Sequence, residues 1–232
     1  MINRMPDVDR FYFLMEQLRR RCGGARMLRD CDARSGWPER GVYFFFESGE
    51  VRADGSTPRV VRVGTHALRP AKSTLWGRLS QHRGNLKGSK PGGGNHRGSI
   101  FRLHVGTAML ASGDWDGEIN QTWGRGSSAS REIRDHEYPL ERAVSAYIGS
   151  MPFLWVDVDD PPSSTSERGL IERGSVALLT NLGRPPIDPS SPGWLGHSSD
   201  RTAVRHSGLW NVNHVEEDYD PKFLDVLERR IG

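Results

Sequence analysis

The sequence predicts an α/β (α+β) fold, one elaborated domain with a small, mainly antiparallel central sheet flanked by helices. Three observations lead there. Two runs rich in β-branched and aromatic residues, Gly41–Glu47 and Arg59–His66, bound a polar stretch with Gly49 and Gly55, the pattern of a long hairpin. Segments with apolar residues at three- and four-residue spacing precede and follow that hairpin. No internal repeat or linker-like stretch divides the 232 residues into two cores, and a chain of this length can bury a substantial one.

Residues 9–22 read as a helix. Phe11, Leu14, Met15, Leu18 and Cys22 share a face, Asp9 is placed to cap, and Gly23-Gly24 stops it. After the hairpin, Ser73 caps a helix to about Arg83 with Leu75, Trp76 and Leu79 inward. Gly84–Gly98 carries six glycines and no apolar periodicity, so a flexible loop is expected. Ser99–Val105 alternates and reads as a third strand, while 107–138 is poorly patterned. A helix from Pro139 places Leu140, Ala143, Val144, Tyr147 and Ile148 on a core face. Phe153–Val158 reads as another strand, closed by Asp159-Asp160-Pro161-Pro162. Ser164-Thr165-Ser166-Glu167 has the form of a capping box before a helix over 167–182. A Pro/Gly/Ser-rich crossing at 183–199, a segment around Trp210 that seals the core, and a helix over 221–230 complete the chain.

Composition narrows the function. No stretch approaches the ~18 apolar residues of a membrane helix, and MINRMPDVDRFYF lacks the layout of a secretory signal. Cys22 and Cys31 make no disulfide framework, so a reducing cytoplasm is the expected setting. Only four of the 32 basic residues are lysines. Arginine forks onto phosphate, which points to nucleic acid. A GC-rich genome enriches Arg, Gly and Pro together as well, so composition alone does not decide.

Two helices carry polar residues in unusual places. On 167–182, Glu172 shares a face with Val176 and Leu179, where a carboxylate is costly to bury unless paired or bound to a cation. On 73–83, Arg78 and His82 stack four residues apart beside Leu75 and Leu79. Arginine suits a phosphate, and histidine suits proton transfer near neutrality. Acidic residues elsewhere read as structural. Asp157, Asp159 and Asp160 fit a turn, and Glu47 and Glu50 beside the hairpin loop are expected to be solvated.

Taken in order, these pieces resemble the GIY-YIG nuclease family. Gly41-Val42-Tyr43 matches the first motif, and Arg62-Val63-Gly64 stands where the second belongs, with arginine for its tyrosine. Leu75–His82 resembles the family's arginine helix, with Arg78 followed four residues later by His82. Glu172 resembles its metal-binding glutamate. A literal Tyr147-Ile148-Gly149 is rejected, because Tyr147 belongs to a helical stripe with Leu140 and Val144. The resemblance covers about 41–182, with unmatched residues near 107–150. Residues 1–40 then form an N-terminal extension and 183–232 a C-terminal one. No asparagine matches the family's later one: Asn181 is nearer Glu172 than usual, and Asn211 and Asn213 are far off.

The resemblance implies a GIY-YIG-like fold and a metal-dependent nuclease hydrolysing DNA. Glu172 would hold one Mg²⁺ or Mn²⁺, and Arg78 would hold the phosphate. Tyr43 would accept the proton from water or orient that water. His82 would take the proton onward or be the base itself. Alternation places Arg62, Gly64 and His66 on one face, so His66 could take over part of the missing tyrosine's role. Arg62, Arg83, Lys87, Lys90 and Arg97 are expected to contact the nucleic-acid backbone. The alternative is a non-catalytic nucleic-acid-binding module in which Arg62 has disabled the chemistry.

Overall fold

The computed structural model describes residues 3–68, 72–163 and 165–232. In chain order it has α1 (Met5–Arg21), β1 (Arg26–Met27), β2 (Gly41–Val51), β3 (Pro58–Gly64), α2 (Leu75–Arg83) and α3 (Ile100–Ser112). Then come α4 (Gly117–Thr122), α5 (Arg131–His136), α6 (Tyr138–Gly149), β4 (Pro152–Asp157), α7 (Glu167–Leu179), α8 (Thr202–Ser207) and α9 (Lys222–Ile231). The four strands form one antiparallel sheet in the order β1-β4-β2-β3. No helix among the described residues is long and apolar enough to cross a membrane.

Both faces of the sheet are covered. Val42, Phe44, Val63, Leu154 and Val156 pack with α1, α7 and α9, while Tyr43, Phe45, Val61 and Phe153 pack with α2, α3 and α6. Double-sided burial is why β2 reads as a continuous apolar run rather than an alternating one. The free edge of β3 is closed by the C-terminal segment. The Trp210 amide donates to the Val61 carbonyl at 2.7 Å, and the Asn211 side chain bonds both the amide and the carbonyl of Val63. A covered edge cannot recruit another chain.

Register decides what reaches the α2 face. Phe45 pairs with Arg62 but Phe46 pairs with Val60, so Val61 is a bulge and both Val61 and Arg62 turn to one side. Tyr43 pairs with Gly64 across β3 and with Trp155 across β4. Arg62 and Gly64 therefore share the Tyr43 face, as alternation predicts. His66 lies beyond the end of β3.

The expected strand over 99–105 is helix α3. Ser99 caps it, its hydroxyl accepting from the Arg102 amide, and Phe101, Val105 and Ala108 are buried at helical spacing. Seven alternating residues also fit a helix face, and Arg102 is buried within it by pairing with Glu141 of α6. The stretch 107–138 contains the rest of α3 and the short helices α4 and α5. Cap positions shift as well. Thr74 rather than Ser73 caps α2, Ser166 caps α7, and α1 starts at Met5, ahead of Asp9. Ser164 of the expected capping box lies outside the described residues. The loop 84–98 is tied by backbone bonds between Asn85 and both Gly92 and Gly93. Glu50, expected in solvent, is buried against Arg59 and Ser191. Glu47 accepts from Tyr147 and from the indoles of Trp194 and Trp210.

Candidate active site

The two motif glycines shape the site. A Cβ at Gly64 would lie 2.3 Å from the Tyr43 hydroxyl oxygen, so only glycine lets that ring cross β3. A Cβ at Gly41 would lie 2.5 Å from the Val156 carbonyl oxygen and 3.2 Å from Leu75. Glycine there lets β2, β4 and the start of α2 close up, which brings α2 over Tyr43.

α2 then delivers His82. Its Nε2 lies 2.8 Å from the Tyr43 hydroxyl and its Nδ1 2.8 Å from the Ser99 hydroxyl. The ring is fully buried. Burial, reinforced by the charges of Arg78, Arg62 and Arg102, holds its pKa well below 6.5. A neutral imidazole donates from one nitrogen and accepts at the other. Arg102 fixes the backbone here, Nη1 donating to the His82 carbonyl at 2.9 Å. Burial pushes the Glu141 carboxyl up, but His96 and Arg102 hold it below its usual range, as an ion.

Arg62 closes the other side of Tyr43. Its Nη1 donates to the Trp210 carbonyl at 2.6 Å, and its guanidinium lies 4.6 Å from the Phe101 ring centre. Burial lowers its pKa, while the Tyr43 oxygen and the Glu172 carboxylate favour its charge. Arg78 reaches Gln81 Oε1 at 3.1 Å and makes no ion pair among the described residues. Glu172 is half-buried on α7. Burial raises its pKa, opposed by Arg62, His214, the Thr65 amide and Arg78. The positive charges of Arg62 and Arg78 both act on this carboxylate, with no ion pair to either among the described residues.

The other sequence-predicted residues divide. His66 makes no hydrogen bond to Tyr43, His82 or Glu172. Its Nδ1 meets the Ser73 carbonyl at 3.1 Å, and burial, with Arg168 and Arg40, pushes its pKa down to about 4. Arg83 donates to the Cys31 carbonyl and stacks on Trp76 at 4.9 Å. Arg97 is held by both oxygens of Glu137 at 2.6 and 2.8 Å, and Lys90 pairs with Asp135. Of the expected backbone contacts in the 83–97 stretch, only Lys87 is exposed with no ion pair among the described residues. The structure adds His214, which influences Glu172 and whose Nδ1 lies 2.7 Å from Glu217. Its left-handed φ of 65° is uncommon for a residue with a side chain. No spacing in the sequence links it to Glu172, 42 residues away on another segment.

The donor set suits a hard divalent ion bound sparingly. Among the described residues no group of three or more His, Cys, Asp or Glu side chains gathers as a metal cluster. Mg²⁺ commonly binds through one or two carboxylates and keeps several waters, so the half-buried Glu172 carboxylate is a sufficient anchor. The raised pKa of Glu172 marks a carboxylate that would gain from a cation.

A strand-borne tyrosine, a helix carrying arginine and histidine, and a glutamate on a later helix are thus arranged around one sheet. The GIY-YIG domain family matches residues 2–232, and the chain belongs to that family. Its members are endonucleases acting on nucleic acids and generally using divalent metals. No curated protein and no solved structure matches the chain.

Proposed function

We propose that this chain is a metal-dependent endonuclease that hydrolyses phosphodiester bonds in DNA. The 2.8 Å contact between the Tyr43 hydroxyl and His82 Nε2, beside Arg62, Arg78 and Glu172, carries this reading. In the tautomer with Nδ1–H donating to Ser99, Nε2 accepts the Tyr43 proton. A water proton then passes to the Tyr43 oxygen as the tyrosine proton passes to His82. The water oxygen bonds to phosphorus, and the bond to the leaving oxygen breaks. Burial keeps His82 neutral at physiological pH, which leaves Nε2 a lone pair for the Tyr43 proton but makes the imidazolium costly, so it must pass that proton on quickly. Arg78 binds the non-bridging oxygens as charge grows on them. Arg62 adds a fixed cation next to Tyr43. Glu172 would hold the divalent ion, which when bound supplies charge neutralisation to the phosphate and the leaving oxygen.

The test is nicking of supercoiled plasmid in Mg²⁺ or Mn²⁺. The wild type converts it to open circle and Glu172→Gln does not. The same variant has a higher Tm, because a carboxyl whose pKa rises on folding is more stable in the fold without its charge. Undiminished cleavage by Glu172→Gln overturns the reading. Arg62 in the tyrosine position favours the second reading, a binding module. DNA binding without cleavage of supercoiled, duplex, single-stranded or branched DNA would establish it.

A further inference from the structure

We propose that the segment between α3 and α6 is a DNA-holding arm. Arg131 and Arg134 of α5, with Lys87 across a cleft, bind successive phosphates of the strand leaving the scissile position. This rests on the endonuclease reading and adds where the substrate backbone runs.

The two short helices of the segment contribute little to the core. α5 buries none of its residues, and α4 buries only Ile119. Ordering such chain costs conformational entropy that its burial does not return. It is nevertheless held in one place by side-chain anchors. Arg97 holds Glu137, Lys90 holds Asp135, and His96 stacks on Trp123 at 3.8 Å while accepting from the Gly124 amide at 3.1 Å. The Trp123 indole in turn fills the space over Gly106, where a Cβ would lie 2.1 Å from it.

Between α5 and the glycine-rich loop lies a cavity of 790 Å³. Its acids are already committed. Glu137 is bound by Arg97, Glu141 by Arg102 and His96, and Asp135 by Lys90. Lys87 and Arg134 make no ion pair among the described residues, and Arg131 makes only a long one to Asp135, which Lys90 already holds, so the walls keep a positive excess. Arg131 is 90% exposed, its nearest acid being Asp135 at 3.8 Å. Arg131 and Arg134 stand three residues apart and line the cleft together, whereas Glu132 is not part of its wall.

The cleft has a neighbour on the Arg78 side. A second cavity of 260 Å³ runs from Arg78 past Gly98 and Ser99 to Gly124 and Gly126, and Arg97 borders both cavities. Gly124 and Gly126, at φ 74° and 69°, leave this floor without side chains, so a bulky backbone can lie close. A basic, open path leading from a phosphate-binding arginine fits a polymer with one negative charge per unit. Forked guanidiniums match its phosphates geometrically.

The experiment is anisotropy of fluorescein-labelled duplex DNA with the full chain in metal-free buffer, titrated with salt. Each phosphate contact contributes about 0.9 to the slope of log K against log salt on duplex DNA. Arg131→Ala/Arg134→Ala together are expected to flatten the slope by about 1.8, and Lys87→Ala by about 0.9. Arg20→Ala, an exposed α1 arginine paired with Glu16, should leave it unchanged. A wild type that binds DNA with a slope the double variant shares overturns the arm and leaves the endonuclease reading intact. An Arg20→Ala shift as large as the double variant's also overturns the arm. A wild type that binds no DNA at all overturns both.

Discussion

Alanine at Arg78 is expected to slow DNA cleavage about 10²–10³-fold, the usual cost of removing one contact to charge that develops in the transition state. The side chain makes no ion pair among the described residues, so truncation removes little that holds the fold together. Its guanidinium lies on the same helix as His82, and its charge acts on both that ring and the Glu172 carboxylate. Lysine at this position keeps the charge but loses the planar fork, and should recover only part of the rate. Single-turnover cleavage at saturating metal reads the effect without product release. DNA affinity should change much less, because Arg78 is one cation among several. A rate unchanged in Arg78→Ala would remove the phosphate-binding role assigned to it.

The second large effect is on stability. His66 and His104 are buried, and burial, with arginine neighbours, pushes the pKa of each down to about 4. Burial and neighbouring arginines lower His82 in the same direction. In the unfolded chain each titrates near 6.5. Between those values the unfolded state binds protons that the fold refuses, so stability falls as pH drops below about 6.5. At pH 5 the cost is about 2 kcal/mol for each of His66 and His104. Glu47 and Glu172, raised by burial, gain on protonation and offset part of the loss. Glu141 and Asp160, held low by their basic and hydrogen-bonding partners against the effect of burial, lose their contribution at still lower pH. The urea midpoint should therefore drop between pH 7 and 5, and His104→Gln should flatten that profile. A midpoint constant over this range would contradict the burial of neutral histidines.

The hairpin, the arginine helix and the glutamate helix were legible because each has a local signature. Aromatic and β-branched runs mark β2 and β3, and three-and-four spacing marks α2 and α7. Where tertiary pairing overrides local pattern, reading failed. The alternation over 99–105 reads as a strand, whereas the structure buries Arg102 within a helix by pairing it with Glu141. Arg97 and Lys90 looked free until Glu137 and Asp135 took them. Much of the arginine excess is likewise structural. Arg4 donates to Leu178 and Pro185 carbonyls, and Arg168 donates to the His66 carbonyl while pairing with Asp160. An arginine count therefore overstates the charge offered to a nucleic acid. His214 left no trace in the sequence, because its influence on Glu172 depends on how the C-terminal segment closes the β3 edge.

A crystal structure of Glu172→Gln with uncleaved DNA and Mg²⁺ tests the assembly of this site most directly. One backbone phosphate should accept hydrogen bonds from Arg78, with the Tyr43 hydroxyl facing it on the side opposite the leaving oxygen. DNA bound with no phosphate near Tyr43, Arg78 and residue 172 would contradict the convergence of these groups on one bond.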